Sequence, residues 1–347
     1  MKKKIVVLAG DGIGPEIMNS AIQVLKKVFE NSYLRFDFEE HFFGGAGIDV
    51  KNDPLPEETL AACKQADAIL LGAIGGHKWE TAVRTPEKGL LDLRKALNLF
   101  VNVRPTFVSD ALLHLSPIKK EIVQGTDLVV IRELIGGIYF GEPRYLGAEE
   151  AYDTNRYNVE EIKRVVRYAF EMAQNRRQHV LSVDKANVLA TSKLWRKVTE
   201  EVAKEFPDCK LEHQYVDAAA MRIIQNPKAF DVIVTENLFG DILSDEASVL
   251  PGTLGVLPSA SHGQENVSLY EPIHGSAPDV AGKNIANPVS MILSASLMLR
   301  ESFDMYEESQ KIETACFKVM EEGVLTKDLG GTASTTDFTA AVITKLN

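Results

Sequence analysis

Short, predominantly apolar runs alternate along this chain with stretches of helical periodicity. Five runs stand out, at 5–8, 68–71, 128–131, 180–183 and 232–234. Continuous rather than alternating hydrophobicity over so few residues predicts central strands of a largely parallel sheet, covered on both faces. Amphipathic helices are predicted between them. Asn158-Val159-Glu160-Glu161 reads as a capping box, with Asn158 as N-cap and Glu161 at the third helical position. Ile162, Val165, Val166, Ala169, Phe170 and Ala173 then share one face at helical spacing. A further helix is predicted from about 187 to 206. The fold class is α/β. Residues 141–155 are polar, carry Pro and Gly and lack helical periodicity, which predicts a surface loop or a projecting arm.

With 347 residues, the chain is long enough for two domains. A net charge of −11 without a long basic run argues against a nucleic-acid partner or a polybasic membrane role, and no apolar run is long enough to span a bilayer. Cys63, Cys209 and Cys316 are odd in number and widely spaced, so they read as reduced thiols of a cytoplasmic protein. The basic and then apolar start at 1–10 imitates a signal peptide. Its apolar stretch is too short and Asp11 interrupts it, so it reads as a first buried strand.

Candidate chemistry gathers where predicted strands end. Gly10-Asp11-Gly12-Ile13-Gly14-Pro15 imitates a dinucleotide fingerprint, but the third glycine comes one residue early and Pro15 stands in its place. A tight turn that lets backbone or ligand approach is the better reading, with Pro15 in the first turn of a helix. Arg132-Glu133, Asp184-Lys185, Asp217 and Gly72-Ala73-Ile74-Gly75-Gly76 each follow an apolar run, and ligands of open α/β sheets bind beyond the carboxyl ends of strands. Asp241 and Asp245 lie one turn apart on a predicted helix, where their charges repel unless a hard divalent cation such as Mg²⁺ or Mn²⁺ sits between them. Arg94, Arg104 and Arg132 offer planar forks that match carboxylates, as a small dicarboxylate would require.

Taken together, the runs at 10–16, 87–105, 130–134, 136–141, 183–188, 237–251 and 271–279 resemble the β-decarboxylating dehydrogenases, the family of isopropylmalate and isocitrate dehydrogenases. The resemblance covers nearly the whole chain. It implies a family-specific fold of two α/β domains on a mixed, largely parallel sheet, distinct from a Rossmann domain. Residues 1–99 with 252–347 would form a discontinuous cofactor-binding domain. Residues 100–251 would form the dimerisation and substrate/metal domain of a homodimer, with an interlocking arm near 141–155. The implied reaction oxidises a 2-hydroxy acid and then releases its 3-carboxylate. Asp217, Asp241 and Asp245 would hold Mg²⁺ or Mn²⁺, with Asp217 donated across the dimer and also touching substrate. Lys185, also from the partner subunit, would take the hydroxyl proton, and Tyr139 would protonate the enol carbon. Arg94, Arg104 and Arg132 would hold the carboxylates. Glu87, Leu90 and Leu91 would face the substrate side chain, where isocitrate dehydrogenases place small polar residues, so an apolar branch is expected. For the cofactor, the resemblance implies His274 near the adenine, with Gly75, Gly76, Glu87, Gly275, Ser276, Ala277, Pro278, Asp279, Val280, Ile285 and Asn287 around the rest. Asp279 suits a ribose 2′-hydroxyl and repels a 2′-phosphate, which implies NAD rather than NADP. Ile135 departs from the family run, where Thr is expected.

Overall fold

All five apolar runs become strands, because uninterrupted β-branched and aliphatic stretches satisfy their backbones only in a ladder covered on both sides. The computed structural model describes residues 2–264 and 267–346. In chain order the elements are β1 (Lys2–Gly10), α1 (Gly14–Val28), β2 (Arg35–Glu40), α2 (Gly45–Lys51), α3 (Glu57–Lys64), β3 (Ala68–Ala73), α4 (Pro86–Ala96), β4 (Leu99–Phe107), α5 (Lys120–Val123), β5 (Asp127–Glu133), β6 (Tyr145–Leu146) and β7 (Ala151–Tyr152). They continue with α6 (Val159–Gln174), β8 (His179–Asp184), α7 (Ala190–Ala203), β9 (Lys210–Tyr215), α8 (Val216–Gln225), β10 (Val232–Thr235), α9 (Asn237–Ala247), β11 (Pro258–Gly263), β12 (Leu269–Pro272), α10 (Val289–Phe303), α11 (Tyr306–Glu321) and α12 (Thr335–Lys345). The chain divides into two compact units, residues 1–98 with 253–347 and residues 99–252.

In the first unit the strand order is β2-β1-β3-β12-β11, parallel except for the antiparallel pair β11/β12. Helix α10 is buried on every side from Val289 to Leu299 and acts as the apolar centre against which α1 and α11 pack, with α12 lying on α1 and α11 in turn. Gly10 and Gly12 turn the chain out of β1 with φ of 74° and 57°. A Cβ at Gly12 would lie 2.0 Å from the Ser276 carbonyl oxygen, so only glycine allows this approach, which the Ile13 N–H seals by donating to that same oxygen at 2.8 Å.

In the second unit the order is β4-β5-β10-β8-β9, again parallel except at one end, β4/β5. Leu128, Val130, Leu181, Val183 and Ile233 point to one face, against Ala219 and Ile223 of α8 and Leu243 and Ala247 of α9. Helix α6 covers the opposite face with Ile162, Val165, Val166, Ala169, Phe170 and Ala173, and its capping box between Asn158 and Glu161 is complete. Residues 141–155 contain an exposed two-strand hairpin in which Tyr145 pairs with Tyr152.

One predicted boundary shifts. Helix α7 starts at Ala190 rather than 187, because the Val188 and Leu189 N–H groups close a turn onto the Lys185 carbonyl first. Asp217 follows the end of β9 at Tyr215, as expected, and falls in the first turn of α8, where the helix dipole favours an acid.

Candidate active site

The second unit gathers five of the predicted residues around the start of α9. The side chain of Glu236 caps this helix by accepting from the Phe239 N–H at 3.3 Å. The helix then presents Asp241 and Asp245 on one face. Arg132, at the end of β5 and almost fully buried, donates from Nη1 to Asp241. The Tyr139 hydroxyl donates to the other Asp241 oxygen at 2.8 Å. Nη1 of Arg104 lies 3.8 Å from Asp245. The cluster is therefore two guanidinium groups, two carboxylates and a phenol.

Its electrostatics suit a cation. Burial pushes the Asp245 carboxyl up, Arg104 pulls it down, and the neighbouring charge of Asp241 pushes it up again. Burial, then the hydrogen bond and charge of Asp241, push the Tyr139 phenol up to about 12, so it keeps its proton at neutral pH. A divalent ion at the two aspartates would relieve their mutual repulsion, and hard carboxylate oxygens are the ligands Mg²⁺ and Mn²⁺ prefer. Among the described residues no group of three His, Cys, Asp or Glu side chains forms a metal site within one chain. Asp217 is elsewhere in this unit, paired with Lys185 at 2.7 Å.

Behind the cluster lies a buried network that sequence reasoning missed. Arg132 donates from Nε and Nη2 to the Asn237 side-chain oxygen, at 3.0 and 2.8 Å. The Asn237 backbone N–H donates to the Tyr157 hydroxyl at 3.0 Å, and that hydroxyl donates to Glu133 at 3.2 Å. Glu133 also accepts from the N–H groups of Ile135 and Gly136. Burial outweighs these donors and pushes the Glu133 carboxyl up to about 7, and burial likewise pushes Glu236 up to about 7. Ile135 thus contributes its backbone here, and its side chain is half-buried. No local pattern in the sequence marks Asn237, Tyr157 or Glu133 as partners.

In the first unit a cavity of about 700 Å³ opens beside Ile13, His274, Gly275, Ala277 and Val280, with Ile285, Ala286 and Asn287 on its wall. Burial pulls the His274 imidazole down, which favours the neutral ring. Its Nδ1 faces the Gly275 carbonyl at 3.0 Å and so carries the hydrogen, which leaves Nε2 as an acceptor with no hydrogen-bond partner among the described residues. An apolar slot with a neutral imidazole acceptor fits the amino edge of an adenine. Gly255, Lys327 and Asp328 complete the lining from two short 3-10 turns, at 254–256 and 327–329, and were missed because nothing in their local sequence marks them as facing this cavity. Asp328 holds the Asn287 amide at 2.9 Å. Asp279 is exposed in the turn next to Val280.

Gly75 and Gly76 form a turn with φ of 93° and 156°. Asp11 accepts from the Gly75 N–H at 2.8 Å, and the Ser276 hydroxyl donates to the Gly75 carbonyl at 2.8 Å, so this turn is tied to the cavity wall. A Cβ at Gly75 would stand 2.5 Å from Oε1 of Glu87, in the first turn of α4. Leu90 and Leu91 on that helix stay partly exposed, whereas Leu93 is fully buried. Arg94 is buried in an ion pair with Glu271 at 2.8 Å, within this unit.

An α/β sheet protein with a nucleoside-sized cavity in one unit and an arginine–carboxylate–phenol cluster in the other belongs with proteins that act on a small anionic substrate. The chain belongs to the isocitrate/isopropylmalate dehydrogenase family, whose sequence profile matches residues 4–342. It is 62% identical to a 3-isopropylmalate dehydrogenase of Listeria monocytogenes serotype 4b, over 100% of this chain and 99% of that protein. It is 61% identical to a 3-isopropylmalate dehydrogenase of Streptococcus thermophilus, over 100% of both. Among solved structures, an isocitrate dehydrogenase from Methylococcus capsulatus superposes with a TM-score of 0.89 at 33% identity, covering 99% of each chain.

Proposed function

We propose that this protein is an NAD-dependent enzyme of leucine biosynthesis. It would oxidise (2R,3S)-3-isopropylmalate and decarboxylate the product to 4-methyl-2-oxopentanoate and CO₂. The observation that carries this reading is the cluster of Arg104, Arg132, Tyr139, Asp241 and Asp245 in one unit. The 3-isopropylmalate dehydrogenases above 60% identity support the choice of substrate, and the partly exposed Leu90 and Leu91 suit its isopropyl group.

Arg104 and Arg132 would bind carboxylate oxygens through their forked donors; a role for Arg94 as a further substrate cation rests on the family resemblance alone, since its guanidinium is paired with Glu271 in the first unit. Lys185 would take the proton from the C2 hydroxyl, and NAD, when bound, would supply the acceptor for the C2 hydride as the alcohol becomes a ketone. The C3–carboxylate bond then breaks, CO₂ departs and its bonding electrons pass into the enolate. Tyr139, protonated at neutral pH, delivers a proton to C3. A Mg²⁺ or Mn²⁺ ion at Asp241 and Asp245 would supply Lewis acidity at the substrate oxygens. Glu87, Gly75 and Gly76 would border the nicotinamide end. His274, Gly275, Ser276, Ala277, Pro278, Val280, Ile285 and Asn287 would surround the adenosine, with Asp279 favouring NAD.

The third metal ligand, Asp217, and the base Lys185 would come from a second copy of the chain. Tyr215 and Met221 on and beside α8, and Ile242 and Val249 on and beside α9, are large apolar side chains left exposed, and so are Tyr145, Leu146 and Tyr152 on the hairpin. Covering such patches is the usual work of a dimer interface. Three buried free thiols are in keeping with a cytoplasmic setting. A rate assay of NADH formation with 3-isopropylmalate, Mg²⁺ and NAD, beside isocitrate, malate and NADP, tests the whole reading. Turnover only with 3-isopropylmalate and NAD is expected; preference for another 2-hydroxy acid would overturn the substrate, and silence with all would overturn the activity.

A further inference from the structure

Arg104 and Arg132, the two arginines of the cluster in the second unit, each meet a neutral asparagine oxygen on their buried edge and a carboxylate on their outer edge. Arg132 turns Nε and Nη2 onto the single Oδ1 of Asn237 and directs Nη1 to Asp241. Arg104 turns Nε onto Oδ1 of Asn102 at 2.8 Å, with Nη1 toward Asp245. Asn102 and Asn237 are both fully buried. Asn237 is itself locked, since its amide nitrogen donates to the Gly136 carbonyl at 3.1 Å and its backbone N–H donates to Tyr157. Asn102 sits on β4 directly opposite Arg132 in the antiparallel register with β5, so a single strand pair carries one anchor and the other anchor's arginine.

We infer that Asn102 and Asn237 are positioning residues that aim Arg104 and Arg132 without consuming their charge. This rests on the dicarboxylate reading above. An amide oxygen fixes the rotamer of a guanidinium as well as a carboxylate oxygen does, but it adds no negative charge. A buried carboxylate in the same place would close a charge-assisted pair with the arginine and compete with the substrate for it. The fixed fork also reaches substrate with its side-chain entropy already lost, which favours binding and orientation. Neither asparagine touches the reacting atoms; each acts through its arginine.

The test uses Asn102→Asp and Asn237→Asp, which keep size and one acceptor oxygen but add charge, beside Asn102→Ala and Asn237→Ala, which remove the acceptor. KM and kcat are measured for 3-isopropylmalate and for NAD in the full-length enzyme, with thermal melts to confirm folding. The aspartate variants should raise KM for 3-isopropylmalate at least tenfold and leave KM for NAD within about twofold, and the alanine variants should raise it by a smaller factor. A merely structural role would move both KM values or neither, and either result overturns the inference. Should Asn237→Asp fail to fold, Asn102→Asp decides alone. Wild-type turnover is the control: its absence defeats the substrate reading, whereas wild-type turnover with unchanged KM in the aspartate variants defeats only this inference.

Discussion

Glu236 closes the first turn of α9 and so holds the helix that carries Asp241 and Asp245. Its carboxyl is buried and pushed up to about 7 from an ordinary value of 4.5. An acid with a raised folded-state pKa keeps its proton while the unfolded chain loses it. Stability therefore falls as pH rises from about 4.5 to 7 and levels off above that, by about 1.4 kcal/mol for each unit and group. Two to three units of separation amount to about 3 kcal/mol for Glu236 at pH 8, an upper figure because relaxation lets water reach buried acids. Glu236→Gln keeps an acceptor for the Phe239 N–H but has no proton to lose. Urea unfolding of wild type and variant, at one protein concentration and at pH 5 and pH 8, isolates the effect as a difference of differences, from which any pH-independent cost of the glutamine cancels. The variant should gain about 2–3 kcal/mol on wild type between the two pH values. A stability difference that does not change with pH would refute the claim that burial governs this carboxyl.

Three further outcomes are expected. Tyr139→Phe removes the protonated phenol while leaving Arg104 and Arg132 in place, so steady-state kinetics should show kcat down by about 10²–10⁴ with KM for substrate nearly unchanged; a rise in KM with kcat intact would assign Tyr139 to binding. Asp279→Lys should weaken NAD and improve NADP, read as the ratio of kcat/KM for the two cofactors, and an unchanged ratio would remove Asp279 from the discrimination. Met221→Glu combined with Ile242→Glu places charges on exposed apolar positions of α8 and α9, and sedimentation should show monomers without turnover; a fully active monomer would end the shared-site reading.

The strands and their largely parallel pairing were legible because burial on both faces demands continuous hydrophobic runs, a local property that the residues at 128–131 and 232–234 display without help from the rest of the chain. The capping box at Asn158 and the buried stripe of α6 were legible for the same reason, since cap and stripe are set by spacing within one element. Residue chemistry was also local: two aspartates one turn apart and arginines beside strands mark acids and cations wherever they end up. What the tertiary structure decided is which of these meet. Arg132 reaches Asp241 across 109 positions only because β5 lies beside β10 and the chain re-enters through α9 above both. Asn102 faces Arg132 only through the antiparallel register of β4 and β5, and a slip of one residue would turn it to the other face. The rise of Glu133 and Glu236 toward neutral pH likewise has no local signal, because desolvation depends on everything packed around a group, and neighbours in sequence carry little of that information.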